Sequence, residues 1–521
     1  MSTTRTRLTA TLSALALGAF ALSAAATPAQ AAERPDIAPL PDALETVRAA
    51  EAQELYGDPA IRPMEDRATS LITMGDSEIS GEGVGNYEPD THRDGNWCDR
   101  SYDQAVFRTG IASDVQYNVA CSGGVSQNLI QGGQTQWDEM NQGDNLAIKA
   151  RNTHIKLVWI VIGANDDGGI EFGPVATDCA THRVLFQGTC WEDHTDDWAA
   201  RVVVSGQGVG NAIDGVRQTM TDAGYLGTDY DLVVMSYPSP VGPDVEDNPD
   251  YPGWLGGGCT MYPQDLAFAR NKAVPMFDNA IRDAVLAKGV RYLNGQPLFD
   301  GHGVCEDNTW ARGLHIEIPV LPSSNAFRQS FHPNYRGHGA FADCMTQFYS
   351  HPDWQTATCA DPASTGGIRL YQGLMEHSDL KSTTSGWCVD AAGYDSRNGT
   401  ALVSYGCHGG RNQGFWYDQE FGSFHVELSH DRCMDAGEVT AGTELMLWDC
   451  HGGDNQRFVV DGDLIHPAGA ADLCVGFAGT GENSPLVLTD CTAAGTTFTM
   501  ADRNYTDPVG YGHDDWIPAS T

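Results

Sequence analysis

Residues Ser70–Asp90 read SLITMGDSEISGEGVGNYEPD. The apolar run Leu71 to Met74 stops at Gly75-Asp76-Ser77, and glycines come next at positions 81, 83 and 85. A short apolar run bounded by glycine predicts a strand buried on both faces. The segment after Ser77 is too rich in glycine for an ordinary helix start. Either this is only a tight turn, or the turn presents one hydroxyl, that of Ser77. The rest of the chain decides between the two.

Working outward, SLITM is joined by three further strand candidates, IKLVWIVIG (155–163), DLVVMSYP (231–238) and VRYLN (290–294). Helical patterns alternate with them, most clearly PQDLAFARNKAVPMFDNAIRDAVLAKG (263–289), interrupted at Pro275 and closed by Lys288-Gly289. This alternation predicts an α/β domain with a parallel sheet covered on both faces, from 66 to 350. In such sheets functional residues gather at the carboxyl ends of the strands. A proline-bearing extension, 32–65, carries one helical stretch, DALETVRAAEAQEL, read as packing on that domain.

That rule supplies the partners for Ser77. IKLVWIVIG ends at Gly163-Ala164-Asn165-Asp166, and NVACSGGVSQNL (118–129) holds a tight loop at Cys121-Ser122-Gly123-Gly124. Near the domain's end stands SFHPNYRGHGAFADCM (330–345), where Pro333 biases His332 toward an extended backbone. Four blocks in this order, GDSxxSGEG, ACSGG, GAND and SFHPN, resemble the SGNH (GDSL-type) hydrolases, in particular secreted actinobacterial esterases and lipases. The resemblance implies a flavodoxin-like fold and a carboxylic ester hydrolase. It implies Ser77 as nucleophile and His332 as general base, then acid. The oxyanion donors would be the Ser77 and Gly123 backbone N–H groups and the Asn165 amide, each worth about 3 kcal/mol in the transition state. Asp76 and Asp166 are read as loop-fixing residues.

One departure stands out. Many members of that family carry D-x-x-H, but here Gln329 occupies the acid's position. The expectation is a Ser–His dyad whose imidazole is oriented by the Ser330 carbonyl; the alternative is a distant acid. DLIHP (463–467) fits D-x-x-H-P literally, yet its place in a repeat makes His466 a strand residue. His92, His154, His182, His194 and His302 lack metal-ligand spacing, and NDDGG lacks the ligand pattern of a calcium loop. Neither a metal nor a cofactor is expected.

The C-terminal third contains CVDAAGYDSRNGTALVSYGCHGGRNQGFW, CMDAGEVTAGTELMLWDCHGGDNQRF and CVGFAGTGENSPLVLTDCTAAGTTF, starting at Cys388, Cys433 and Cys474. Three copies, each with its own cysteine pair (388–407, 433–450, 474–491), suit an all-β trefoil better than a propeller. They resemble the ricin-type lectins, whose Q-x-W/F signature stands here as Gln413-Gly414-Phe415 and Gln456-Arg457-Phe458. The resemblance implies carbohydrate sites at Asp390, Tyr405, Asn412 and Gln413, and at Asp435, Trp448, Asn455 and Gln456, with His408 and His451 as helpers. A carboxylate and an amide take sugar hydroxyls while a ring covers the apolar sugar face. The third copy has Gly476, Thr489 and Thr496 at the corresponding positions and is expected to be inactive. The amides also hold trefoil strands together, so the Asp–aromatic pair is the better discriminator.

The chain of 521 residues carries a net charge of −39. Arg5 and Arg7 precede an apolar stretch, and Ala29-Gln30-Ala31 is a small-x-small site, so 1–31 reads as a secretory signal rather than a membrane span. Its removal would take the charge to −41. Such a surface repels phosphate backbones and anionic lipid, which excludes nucleic acid as a natural partner. The fourteen cysteines of an exported chain read as seven disulfides. For the eight outside the repeats many pairings are open; neighbour pairing is the expectation: Cys98–Cys121, Cys179–Cys190, Cys259–Cys305 and Cys344–Cys359. The remaining boundaries are a linker at 351–365, the lectin domain at 366–502 and a tail at 503–521. The expectation is a secreted, monomeric serine esterase held on polysaccharide, with acylated glycan as substrate. The alternatives are a lipase or phospholipase and, in another class, a lectin with an inactive hydrolase domain.

Overall fold

The computed structural model describes residues 34–242, 261–304, 306, 308–315, 328–363 and 366–502. The expected signal, the tail and the Cys259–Cys305 pairing lie outside the described residues. From Pro35 onward the chain forms one compact unit.

A seven-stranded sheet organises the first part: β1 (Thr69–Gly75), β2 (Val115–Asn118), β3 (His154–Val161), β4 (Asp231–Met235), β5 (Arg291–Asn294), β6 (Thr356–Ala360) and β7 (Arg369–Gln372). The spatial order is β2-β1-β3-β4-β5-β6-β7, parallel throughout except for β7. Side chains alternate between its faces, as strand geometry requires. Ile72, Met74, Val158, Ile160 and Val234 pack into one core, whereas Leu71, Leu157, Trp159, Val233 and Leu293 pack into another. The helices are α1 (Asp42–Tyr56), α2 (Ser77–Ser80), α3 (Gln142–Asn152), α4 (Phe172–Val184), α5 (Trp191–Asp222), α6 (Pro263–Phe268), α7 (Val274–Ala287) and α8 (Tyr335–Tyr349). The first core is shared with α3, α5 and α7 through Leu146, Val209, Ile213, Phe277 and Ile281. The second is shared with α8 through Phe341, Met345 and Phe348. The extension is fastened by α1, whose buried Arg48 donates to Asn152 Oδ1 of α3 at 3.1 Å.

The interruption near Pro275 is a π turn at Ala269–Ala273 joining α6 to α7, with the proline in the first turn of α7. There its missing N–H costs little. The expected linker at 351–365 and lectin start at 366 are corrected, because β6 and β7 extend the first sheet to Gln372. Cys344–Cys359 ties β6 to α8. With small residues and only five positions, TATCA gives almost no periodic signal.

The second part has twelve strands: β8 (Ser378–Ser382), β9 (Cys388–Ala391), β10 (Leu402–Tyr405), β11 (Gly414–Asp418), β12 (Ser423–Val426), β13 (Ser429–Asp435), β14 (Met446–Asp449), β15 (Phe458–Asp461), β16 (Leu464–Pro467), β17 (Leu473–Phe477), β18 (Leu486–Asp490) and β19 (Phe498–Asp502). The last pairs antiparallel with the first, Phe498 opposite Ser382, which closes the threefold array. Phe415, Phe458 and Phe498, equivalent in the repeats, are all buried. Among the described residues six disulfides join Cys98–Cys121, Cys179–Cys190, Cys344–Cys359, Cys388–Cys407, Cys433–Cys450 and Cys474–Cys491. The two parts are in contact: Arg411 Nη1 donates to the Arg270 carbonyl at 2.9 Å, and Asp300 accepts from His430 Nδ1 at 2.8 Å.

Candidate active site

The end of β1 turns sharply because Gly75 has φ +147°, and a Cβ there would stand 1.9 Å from the Val161 carbonyl oxygen. Asp76 then caps α2, accepting from the Glu78 N–H at 3.1 Å, and Ser77 becomes the first helical residue. Its Oγ lies 2.7 Å from Nε2 of His332. Nδ1 of His332 lies 3.0 Å from the Ser330 carbonyl oxygen, which holds the proton on Nδ1 and turns the Nε2 lone pair toward the hydroxyl. The histidine turn is braced: Phe331 has φ +67°, its N–H donates to the Arg312 carbonyl at 2.7 Å, and the Arg312 N–H donates to the His332 carbonyl at 2.8 Å. A bulky residue in that region is backbone strain of the kind concentrated at functional sites. Gln329 is engaged elsewhere, accepting from Arg312 Nη1.

Burial pushes the His332 imidazolium down to about 4, against the opposing pull of the Ser330 carbonyl and Asp99. The ring is therefore neutral at pH 7 and able to accept a proton. Burial pushes Asp76 the other way, up to about 7, although a hydrogen bond from the Tyr237 hydroxyl counteracts it. Asp166 accepts from the Ser126 N–H at 2.6 Å and from its Oγ at 2.7 Å, a loop-fixing contact.

The turn at Cys121–Gly124 sits against the end of β1. The Cys121 N–H donates to the Gly75 carbonyl at 3.1 Å, and the Ser122 N–H to the Cys98 carbonyl at 3.0 Å. Gly123 has φ +74°, and its neighbour Gly124 makes the close main-chain approach: a Cβ there would meet the Gly75 oxygen at 2.8 Å. Asn165 Nδ2 donates to the Gly124 carbonyl at 3.2 Å, which leaves its second amide hydrogen for a ligand.

Ser77, Asn165 and His332 line one cavity of about 120 Å³, and its other walls are mainly apolar, among them Phe172, Val175, Trp198, Phe268 and Phe277. Phe172 meets the His332 ring edge-on, with centroids 6.5 Å apart. The arrangement suits abstraction of a hydroxyl proton by a neutral imidazole beside an apolar compartment.

Three residues of this neighbourhood are not evident from sequence: Glu82, Tyr237 and Arg328. Ser122 Oγ donates to Glu82 Oε2, and Arg328 Nε donates to Asp99 Oδ2 at 2.6 Å. The signal for Glu82 lies in the G-E-G run, where an acid between two glycines has no helical or strand role. Other histidines hold structural bonds, among them His302, whose Nε2 is 2.9 Å from Asp361 Oδ2, and His194, whose Nε2 is 3.0 Å from Asp178 Oδ2. His466 lies on β16 with its Nδ1 3.2 Å from the Pro467 carbonyl.

In the trefoil, two repeats build the same constellation. Asp390 accepts from Gln413 Nε2 at 2.8 Å and from His408 Nε2 at 3.3 Å. Asp435 accepts from Gln456 Nε2 at 2.8 Å and Asn455 Nδ2 at 2.8 Å, and His451 Nε2 is 3.3 Å away. In each copy a glycine N–H donates to the histidine Nδ1 at 3.1 Å, from Gly410 or Gly453, so the neutral ring carries its proton on Nε2, facing the carboxylate. Both glutamines are fully buried and also donate to a main-chain carbonyl, which makes them holders of the aspartate rather than direct sugar ligands. Asn412 Nδ2 donates to the Ala391 carbonyl at 3.2 Å. Tyr405 and Trp448 are exposed beside them. At the third copy a Cβ on Gly476 would meet the methyls of Thr496 and Thr489 at 3.0 and 3.2 Å, so methyl groups fill the place of the carboxylate and the ring.

Residues 376–498 match the family model of the ricin-type β-trefoil lectin domain, and this part of the chain is such a domain. No curated protein matches the chain. Among solved structures, a designed threefold symmetric protein, ThreeFoil, is similar at 19% identity and TM-score 0.23, covering 24% of this chain and 98% of its own. The C-half of the earthworm R-type lectin, in complex with GalNAc, is similar at 16% identity and TM-score 0.22, over 24% of this chain and 98% of its own. An extracellular lipase from Streptomyces rimosus is similar at 22% identity and TM-score 0.35, over 54% of this chain and 99% of its own.

Proposed function

We propose that the chain is a secreted SGNH-type carboxylic ester hydrolase whose lectin domain retains it on carbohydrate. The observation that carries this reading is the 2.7 Å contact of Ser77 Oγ with His332 Nε2 at an apolar cavity. The strand order 2-1-3-4-5 of the parallel sheet supports the flavodoxin-like assignment. Ser77 attacks the ester carbonyl while His332 takes its proton; the imidazolium then protonates the leaving alcohol, and water repeats the cycle on the acyl-enzyme. The N–H groups of Ser77 and Gly123 and the free Asn165 amide hydrogen are the oxyanion donors of this reading.

The cavity bears on the acyl group. An acetyl group would leave walls such as Trp198, Phe268 and Phe277 without a partner, whereas an aliphatic chain gains about 0.8 kcal/mol per buried methylene. The reading therefore favours lipid-like esters over acetylated glycan, with the lectin domain supplying location. Asp390 with Tyr405 and Asp435 with Trp448 are the two proposed sugar sites. The six disulfides among the described residues support export of the mature chain.

The deciding experiment compares p-nitrophenyl esters from acetate to palmitate, together with acetylated xylan and phosphatidylcholine, for the wild type and Ser77→Ala. Turnover rising with chain length and lost in Ser77→Ala is expected. Turnover confined to acetylated xylan would return the assignment to a carbohydrate esterase, and no turnover of any ester would leave a lectin with an inactive partner domain.

A further inference from the structure

Glu82 sits between the two halves of the site. It is 1% exposed, in the G-E-G run just after α2. Its Oε2 accepts from Ser122 Oγ, on the turn that carries Gly123, and lies 4.0 Å from Nε2 of His332. Its Oε1 is 4.0 Å from Nε of Arg328, but that guanidinium has a nearer acceptor in Asp99 Oδ2, at 2.6 Å, and lies over the Trp97 ring at 4.0 Å. Asp99 is itself fully buried.

We infer that Glu82 is a positioning residue of the Ser77–His332 pair, placed so that its carboxylate balances the charge His332 acquires on taking the Ser77 proton. The inference rests on the reading of that pair as nucleophile and base. In the first step the Ser77 O–H bond breaks, a bond forms from that proton to Nε2, and the Oγ electron pair attacks the ester carbon. The imidazole becomes a cation, and the group on its Nδ1 is a neutral carbonyl, which orients the ring without supplying a charge. Among the described residues Glu82 is the carboxylate within ion-pair distance of a His332 ring nitrogen. Burying a carboxylate is costly unless another charge or strong donor meets it. The imidazolium adds one such charge, 4.0 Å from the Glu82 carboxylate, when it forms. The Ser122 bond also links the base to the proposed oxyanion turn, so one side chain spans both.

Other charged or titratable groups surround the pair: Asp99, Arg328 and His92 on one side, Tyr87 and Arg312 near Glu82, His338 from α8, and Asp76 and Glu78 beside Ser77. None of them changes in the test variant, which alters charge but keeps shape.

The experiment measures kcat and KM of the full chain against pH, from about 2.5 to 8, by quantifying the alcohol released from a soluble ester. Glu82→Gln keeps an acceptor for Ser122 and removes the charge. The expected result is a plateau kcat about 10- to 100-fold lower with KM little changed. The acid limb should move down by about one pH unit or more, because removing an opposite charge beside the imidazole favours its neutral form. Ser122→Ala, which leaves the charge, should lower kcat without moving the limb. Glu82→Asp should restore the limb and part of the rate, and it serves if Glu82→Gln does not fold. An unchanged plateau and limb in Glu82→Gln, or a lower plateau with the limb in place, would overturn the inference. Ser77→Ala separates the two levels: if that variant keeps activity, the reading of the pair fails; if it is inactive while Glu82→Gln is normal, only the role of Glu82 fails.

Discussion

The carbonyl oxygen of Ser330 lies 3.0 Å from Nδ1 of His332, two residues further along the same braced turn. A main-chain acceptor cannot be removed by side-chain substitution, and the position where an acid would stand, Gln329, is held by Arg312. Gln329→Ala should therefore change kcat/KM less than about tenfold, whereas His332→Ala should lower it by about 10³-fold or more. Steady-state turnover of a p-nitrophenyl ester checks both. Equal losses in the two variants would point to an orienting side chain instead.

Acid should weaken the fold through its buried imidazoles. Burial pushes His332 and His425 down to about 4 and His338 to about 3. The unfolded chain takes up these protons near 6.5 and the folded chain only lower. Their stabilising contribution is thus complete above about 6.5 and is lost as pH falls through about 4. Asp76, raised to about 7, has the opposite sense: its contribution is present below 3.8 and lost as pH rises through 7. Neither ring nitrogen of His338 has a hydrogen-bond partner among the described residues. His338→Leu should raise the melting temperature, and by more at pH 5 than at pH 7; calorimetry at the two pH values decides.

On the lectin domain, Asp390→Ala and Asp435→Ala should each weaken retention on polysaccharide, and the double variant should abolish it. Gln413→Ala should act in the same direction, by freeing the aspartate it holds, at a cost typical of one lost hydrogen bond to a charged group, about 2 kcal/mol. Pull-down on insoluble polysaccharide measures this. Full retention of the double variant would end the assignment of these sites.

Breaking Cys98–Cys121 should have two readouts. Its loop spans 23 residues, so its loss is expected to cost about 3 kcal/mol of stability. The bridge also anchors the turn carrying Gly123, so a Cys98→Ala/Cys121→Ala variant should lose kcat more than it raises KM. A variant that melts earlier but turns over normally at low temperature would confine the bridge to stability.

His466→Ala should leave ester turnover within about twofold of wild type, since its strand position far along the trefoil satisfies it structurally. An inactive, folded His466→Ala would overturn the assignment of the base to His332.

The sequence by itself determined what short range dictates. The buried strands SLITM and IKLVWIVIG were legible because both faces are covered, so their apolar runs are unbroken. The trefoil was legible because three copies repeat one hairpin and one cysteine pair. Chemistry that requires particular residue types, a serine after Gly75-Asp76 and a histidine before Pro333, was legible as motif. Only the tertiary structure decided what depends on distance through space. Ser77 and His332 are 255 residues apart along the chain, and their 2.7 Å contact is a consequence of the strand order. β6 and β7 joined the first sheet although their segments are too short to carry a period. The apolar cavity draws its walls from five helices and several loops, and Glu82 reaches His332 through a turn of glycines. Packing sums over elements that no local window contains, and for that reason these relations were settled by the fold alone.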